Sequence, residues 1–328
     1  MSLVCSVCPH ACRLGEGDIG RCHQRTVRNG QVISLSYGQV TSLGLDPVEK
    51  KPLYHFHPGK LLLSVGSQGC NLSCVWCQNH QIAQRPAPYR QMGAQELVAL
   101  ALQTRQQDAR SVGLAFTYNE PVIGVEWVQD AAQLARDAGL VTALVTNGYM
   151  NPAPWRRLLR AIDAVNIDVK AFDDDFYQRY CGGGLAPVLR NVEAALERAE
   201  VELTYLVIPD LNDSKSEVMR FVEWVAKLSE DIPVHLSRFF PSHRLRFLPP
   251  TPLKTMLALQ QLAQEKLNFV YLGNTGGLPD TSCPDCGQLW IRRSTGGVEV
   301  CGVEAGHCQS CGRAAYGVGL ERAKQVEG

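Results

Sequence analysis

Residues 61–80 read LLLSVGSQGCNLSCVWCQNH. Residues 61–65 are an apolar run of strand length, and after a turn Cys70, Cys74 and Cys77 crowd into eight residues. A buried strand opening into a cysteine-bearing loop places reactive groups at the carboxyl end of a sheet, where α/β barrels keep their sites. Three chemistries suit the spacing. Zinc wants four closed ligands and would recruit a distant cysteine or histidine. An iron–sulfur cluster can take three thiolates and leave one iron open to a small molecule. A redox dithiol needs only Cys74 and Cys77. Packing of three thiols merely as small hydrophobes does not account for so tight a spacing.

Outward from this stretch, apolar runs at 112–117, 141–146, 164–169, 201–208, 234–236 and 268–272 alternate with helical patterns at 94–107, 124–138, 153–161 and 187–199. About seven strand–helix units predict an α/β fold, a partial (β/α) barrel over residues 61–274. Residues 1–60 and 275–328 are then separate cysteine-rich modules. Polar residues stand where the strands end: Asn119 and Glu120, Thr146 and Asn147, Asp168 with Lys170, His235 and Asn274. An isolated Asn-Gly is most simply a turn. Their shared position on one rim, around an open cluster, points instead to a bound amino-acid nucleotide.

Composition narrows the class. The 32 basic and 32 acidic side chains cancel, which leaves no electrostatic footprint for nucleic acid. No apolar run is long enough to span a bilayer, and the amino terminus lacks a charged segment followed by an apolar one. A cytoplasmic protein with no membrane or nucleic-acid partner is expected. The thirteen cysteines therefore read as metal-binding or catalytic rather than disulfide-bonded. Cys283, Cys286, Cys308 and Cys311 form two CxxC knuckles about twenty residues apart, the pattern of a zinc ribbon. Cys5, Cys8, Cys12 and Cys22 suit a zinc knuckle or an iron–sulfur cluster; zinc is the expectation, since such knuckles are frequent in cytosolic proteins.

The CxxxCxxC motif, with Trp76 before its last cysteine, resembles the signature of the radical S-adenosylmethionine (SAM) superfamily. The segments Cys5–His10, Asp46–Phe56, Tyr118–Pro121 and Asn166–Lys170 further resemble the radical enzyme of the AmmeMemoRadiSam system, a relative of the pyruvate formate-lyase activating enzymes. The resemblance implies a [4Fe–4S] cluster on Cys70, Cys74 and Cys77, with SAM completing the fourth iron. It also implies reductive cleavage to methionine and a 5′-deoxyadenosyl radical that abstracts hydrogen. Carried over residue by residue, Trp76 lies against the adenine, Asn119 and Glu120 occupy the place that receives the methionyl amine, and Thr146 and Asn147 match a Thr-Asn pair. Asp168 and Lys170 match the residues holding the methionyl amine and carboxylate, and His235 a histidine near the ribose. Cys181, before three glycines, is either a buried thiol at a helix end or a catalytic thiol reaching the rim. The substrate is a small molecule or a protein, with Memo-like and AMMECR-like proteins as partners and a flavodoxin- or ferredoxin-type electron donor. The alternative is an activating enzyme that installs a glycyl radical on a partner protein.

Overall fold

The computed structural model describes residues 2–320. Eight strands lie side by side in chain order: β1 (Ser42–Pro47), β2 (Leu61–Gly66), β3 (Ser111–Phe116), β4 (Val141–Thr146), β5 (Ala164–Asp168), β6 (Glu200–Val207), β7 (Val234–Arg238) and β8 (Val270–Gly273). From β2 onward every neighbour is parallel. Helices fill the crossovers: α1 (Ala94–Gln107), α2 (Val125–Asp137), α3 (Pro152–Leu158), α4 (Leu185–Leu196), α5 (Lys215–Leu228) and α6 (Leu253–Gln264).

The parallel strands are apolar runs because helices cover one face and the barrel interior the other. Ala143, Leu144, Val165, Ile167 and Leu203 are wholly buried. The helices turn one stripe inward: on α2, Val125, Val128, Ala132 and Ala135 follow the spacing of a core-facing helix. Helix α4 begins at Leu185, two residues before the start read from the sequence. Pro187 sits in its first turn, where its missing N–H leaves no hydrogen bond unmade.

The eighth strand comes from the lead-in segment. β1 pairs antiparallel with β2, from Ser42 opposite Gly66 to Pro47 opposite Leu61, and its residues alternate between half-buried and exposed. That alternation is what a one-sided edge strand requires. Upstream, residues 3–34 form two small antiparallel pairs, and Asn151 ties this segment to the barrel by donating from its backbone to Val7 (2.9 Å) and from its side chain to Ser6 (2.8 Å). Downstream, Thr281–Ser282, Leu289–Ser294 and Gly297–Val300 make a three-stranded antiparallel sheet. Its core, around Trp290, Ile291 and Val303, is continuous with Tyr54, Phe269 and Tyr271 of the barrel side. No helix among the described residues is long and apolar enough to cross a membrane.

Candidate active site at the carboxyl ends of the strands

The loop after β2 carries Cys70, Cys74 and Cys77 into a cleft of about 380 Å³ at the carboxyl ends of the strands. Its walls also include Trp76, Asn119, Glu120, Thr146, Asn147, Asp168 and Lys170. The parallel sheet thus gathers residues a hundred positions apart onto one rim. Two lining residues, Tyr118 (φ 71°) and Asn274 (φ 59°), hold left-handed backbone conformations, which side-chain-bearing residues adopt rarely and mostly where surrounding structure enforces them.

The cysteine loop is braced from β3 and β4. Asn119 accepts from the Ser67 N–H (2.8 Å) and donates to the Gly69 carbonyl (3.2 Å), and Asn79 donates to the Tyr118 carbonyl (2.7 Å). Asn147 donates to the Cys70 sulfur (3.6 Å) and to Asn71 Oδ1 (3.0 Å). Glu120 is wholly enclosed: its carboxylate accepts from Thr146 Oγ1 (2.6 Å), Asn147 N–H (2.8 Å) and Val122 N–H (3.1 Å). Burial pushes its pKa up to about 7, against the pull of these donors. Thr146, Asn147 and Glu120 therefore form one unit that positions the loop.

Asp168 and Lys170 flank Val169 at the end of β5, and the Lys170 ammonium donates to Asp168 Oδ2 at 2.7 Å. Burial works against the ammonium, but the neighbouring Asp168 carboxylate holds Lys170 above its ordinary range. A fixed cation and a fixed anion on the same wall suit a zwitterionic amino acid. Asp46, Lys51 and Tyr118 make a second polar group that sequence reasoning did not assign to the site. Lys51 (2.8 Å) and Tyr118 OH (2.7 Å) both donate to Asp46 Oδ2, and Lys51 lines the cleft. A lysine five residues after an aspartate at the end of an alternating segment was the signal for it.

The donor set fits a cluster. Among the described residues, no three of the Cys70, Cys74, Cys77 and Cys181 sulfurs come within 4.8 Å of one another, so the set is not drawn in around a single ion. Burial raises the Cys70 thiol well above its ordinary value and Cys77 to about 11. Both stay protonated unless a metal displaces the proton. Cys181 is wholly buried at the end of a π-turn. His235 does not line the cleft. It is buried against Tyr54, and its Nε2 meets Glu202 Oε2 at 2.6 Å, while Ser237, two residues on, is on the cleft wall.

The carboxyl-terminal quartet is drawn tight: the sulfurs of Cys283, Cys286, Cys308 and Cys311 all lie within 4.8 Å of one another, with two pairs at 3.6 Å. Four thiolates at about 2.3 Å from one tetrahedral ion stand roughly 4 Å apart, so the set fits a single ion. Cys5, Cys8, Cys12 and Cys22 come together at the amino end around a small hollow. Cys301 and His307 stay outside the tight quartet.

The chain is 37% identical over 318 residues to an uncharacterized protein of Methanocaldococcus jannaschii, covering 94% of this chain and 93% of that one. It is 28% identical to the pyruvate formate-lyase-activating enzyme of Clostridium pasteurianum over 54% of this chain and 74% of that enzyme. Among solved structures, a domain of the pyruvate-formate lyase-activating enzyme of Bacteroides vulgatus superposes with a TM-score of 0.45 at 17% identity, covering 50% of this chain and 99% of that one. Residues 64–222, from β2 through most of α5, match the Radical SAM superfamily, and the three-cysteine loop lies inside that match. Residues 64–222 are a radical SAM domain, and the chain is an enzyme.

Proposed function

We propose that the enzyme binds a [4Fe–4S] cluster on Cys70, Cys74 and Cys77 and SAM beside it, and uses the pair to abstract hydrogen from a substrate. One observation carries this reading: the three thiols share a cleft wall with the Asp168–Lys170 pair. When bound, the cluster and SAM supply one-electron cleavage of the sulfonium and, from it, hydrogen-atom abstraction. The chain's own groups then divide the work. Lys170 presents a compact cation to the methionyl carboxylate, and Asp168 an acceptor to the amine. Glu120, tied to Thr146 and Asn147, holds the loop that aims Cys70. Trp76 offers an aromatic wall for the adenine.

For the carboxyl-terminal quartet we propose a structural Zn²⁺, since all four ligands are protein sulfurs and none is left open. The protein works in the cytoplasm with a flavodoxin- or ferredoxin-type electron donor in this reading. Its substrate is a small molecule or protein handled with Memo-like and AMMECR-like partners of the AmmeMemoRadiSam system. Similarity to the M. jannaschii protein extends over both cysteine modules, whereas that to the C. pasteurianum enzyme covers 54% of the chain, which favours substrate modification. Installation of a glycyl radical on a partner protein is the second reading, supported by the 28% identity to that activating enzyme. Turnover of the anaerobically reconstituted protein with deuterated candidate substrates separates the two. Deuterium in 5′-deoxyadenosine from a small molecule or side chain supports the first, and a glycyl-radical doublet on a partner supports the second. Deuterium transfer from none of the candidates, with SAM still cleaved, would discard those substrates.

A further inference from the structure

Two cysteine quartets, each opening on a CxxC pair, end in different geometries. The carboxyl-terminal sulfurs converge within 4.8 Å, but among the described residues no three of Cys5, Cys8, Cys12 and Cys22 do so. These four instead line one small hollow at the amino end. Thiolates held at about 2.3 Å from one zinc ion stand roughly 4 Å apart, closer together than the sulfurs of this set. A cluster places each thiolate on an iron of a multi-iron core, and so needs its ligands set around a wider centre.

We propose that Cys5, Cys8, Cys12 and Cys22 bind an iron–sulfur cluster rather than zinc. The hollow is finished for an anionic group, because Arg21 and Arg25 line it with the cysteines. Arg25 is buried, and its guanidinium nitrogens pair with Glu126 at 2.6 and 2.8 Å. Its Nε–H remains enclosed with no partner. An orphaned buried donor is costly, and a cluster sulfur is an acceptor of the kind it lacks. Two left-handed residues, Ala11 (φ 46°) and His23 (φ 60°), fold the knuckles that set the cysteines apart.

The cage abuts the active-site loop. The carbonyl of Asn71, next to Cys70, meets His10 Nε2 at 2.7 Å. Gly69 has φ 87°, and a side chain there would come within 2.7 Å of the Cys22 carbonyl. Only glycine permits that approach. A metal centre in this cage therefore borders the loop that carries Cys70.

The assignment rests on the cage alone; its closeness to a second cluster rests on the function proposed above. The test uses the full chain with Cys70, Cys74 and Cys77 replaced by alanine, reconstituted anaerobically with iron and sulfide. This variant leaves the cage untouched. It is expected to keep acid-labile sulfide and a Mössbauer cluster doublet, with iron lowered to about half of wild type. Adding Cys5→Ala and Cys8→Ala should remove the rest, with zinc unchanged at the carboxyl end. A triple variant that holds no sulfide and carries a second zinc overturns the assignment. Equal iron and sulfide in wild type and triple variant would leave the cage cluster standing and refute a cluster on Cys70, Cys74 and Cys77.

Discussion

At the carboxyl end, four sulfurs stand within 4.8 Å of one another; at the amino end, four sulfurs surround a hollow with two arginines at its edge. The first quartet sits by short antiparallel strands over an apolar cluster shared with Tyr54, Phe269 and Tyr271 of the barrel side. The second leans on the catalytic loop, with His10 set against the Asn71 carbonyl at 2.7 Å. CxxC spacing counts ligands, but the elements around it decide how far apart they are held and hence what fits between them. Distance from the active site divides the two as well: one quartet is a clasp on the barrel's flank, the other a neighbour of the cleft.

The largest effect expected from this contrast is at the clasp. Cys283→Ala with Cys286→Ala should release the bound ion and forfeit folding free energy on the order of 10 kcal/mol from the module. Zinc analysis with calorimetry checks it, and an unchanged melting profile would remove the ion from the fold's support. Next comes Arg293, whose buried guanidinium donates to the carbonyls of Tyr54 (2.6 Å) and Pro279 (2.9 Å) and to Thr281 Oγ1 (2.8 Å), joining module to barrel. Arg293→Met strips a charged donor from three acceptors and should cost about 4 kcal/mol in denaturant unfolding. If it costs nothing, apolar packing alone docks the module.

The joint also carries a pH signature. His55 is fully buried between Tyr271 OH (2.7 Å) and the Tyr316 carbonyl (2.8 Å). Burial lowers its pKa to about 4. The folded chain keeps it neutral while the unfolded chain takes up a proton below about pH 6.5, so stability falls as pH drops from about 6.5 towards 4. The loss amounts to about 3 kcal/mol, and His55→Gln should flatten that slope. An unaltered slope in the variant would assign acid sensitivity to the metal sites. Smallest is the cleft effect: Lys170→Ala should weaken SAM binding by about 2 kcal/mol with iron content unchanged, as anaerobic calorimetry would report.

Much of this was legible in the sequence because parallel strands buried on both faces must be apolar and because the strand ends fall at predictable places. The seven parallel strands and the rim residues Glu120, Thr146, Asn147, Asp168 and Lys170 follow from that rule. β1 was not legible as part of the sheet, since a half-exposed edge strand with glycine and proline carries little pattern. Lys51 escaped because its role depends on a hairpin folding back over β2. His235 sits on a strand whose neighbours pair it with Glu202, a contact 33 residues away that alternation alone cannot reveal.

The central claim is that Cys70, Cys74 and Cys77 hold the group that activates SAM. Its most direct test is anaerobic incubation of the reconstituted wild type and the triple alanine variant with SAM and a low-potential reductant, followed by quantification of 5′-deoxyadenosine and methionine. The account predicts both products from the wild type and neither from the variant. Equal product from the two proteins would contradict it.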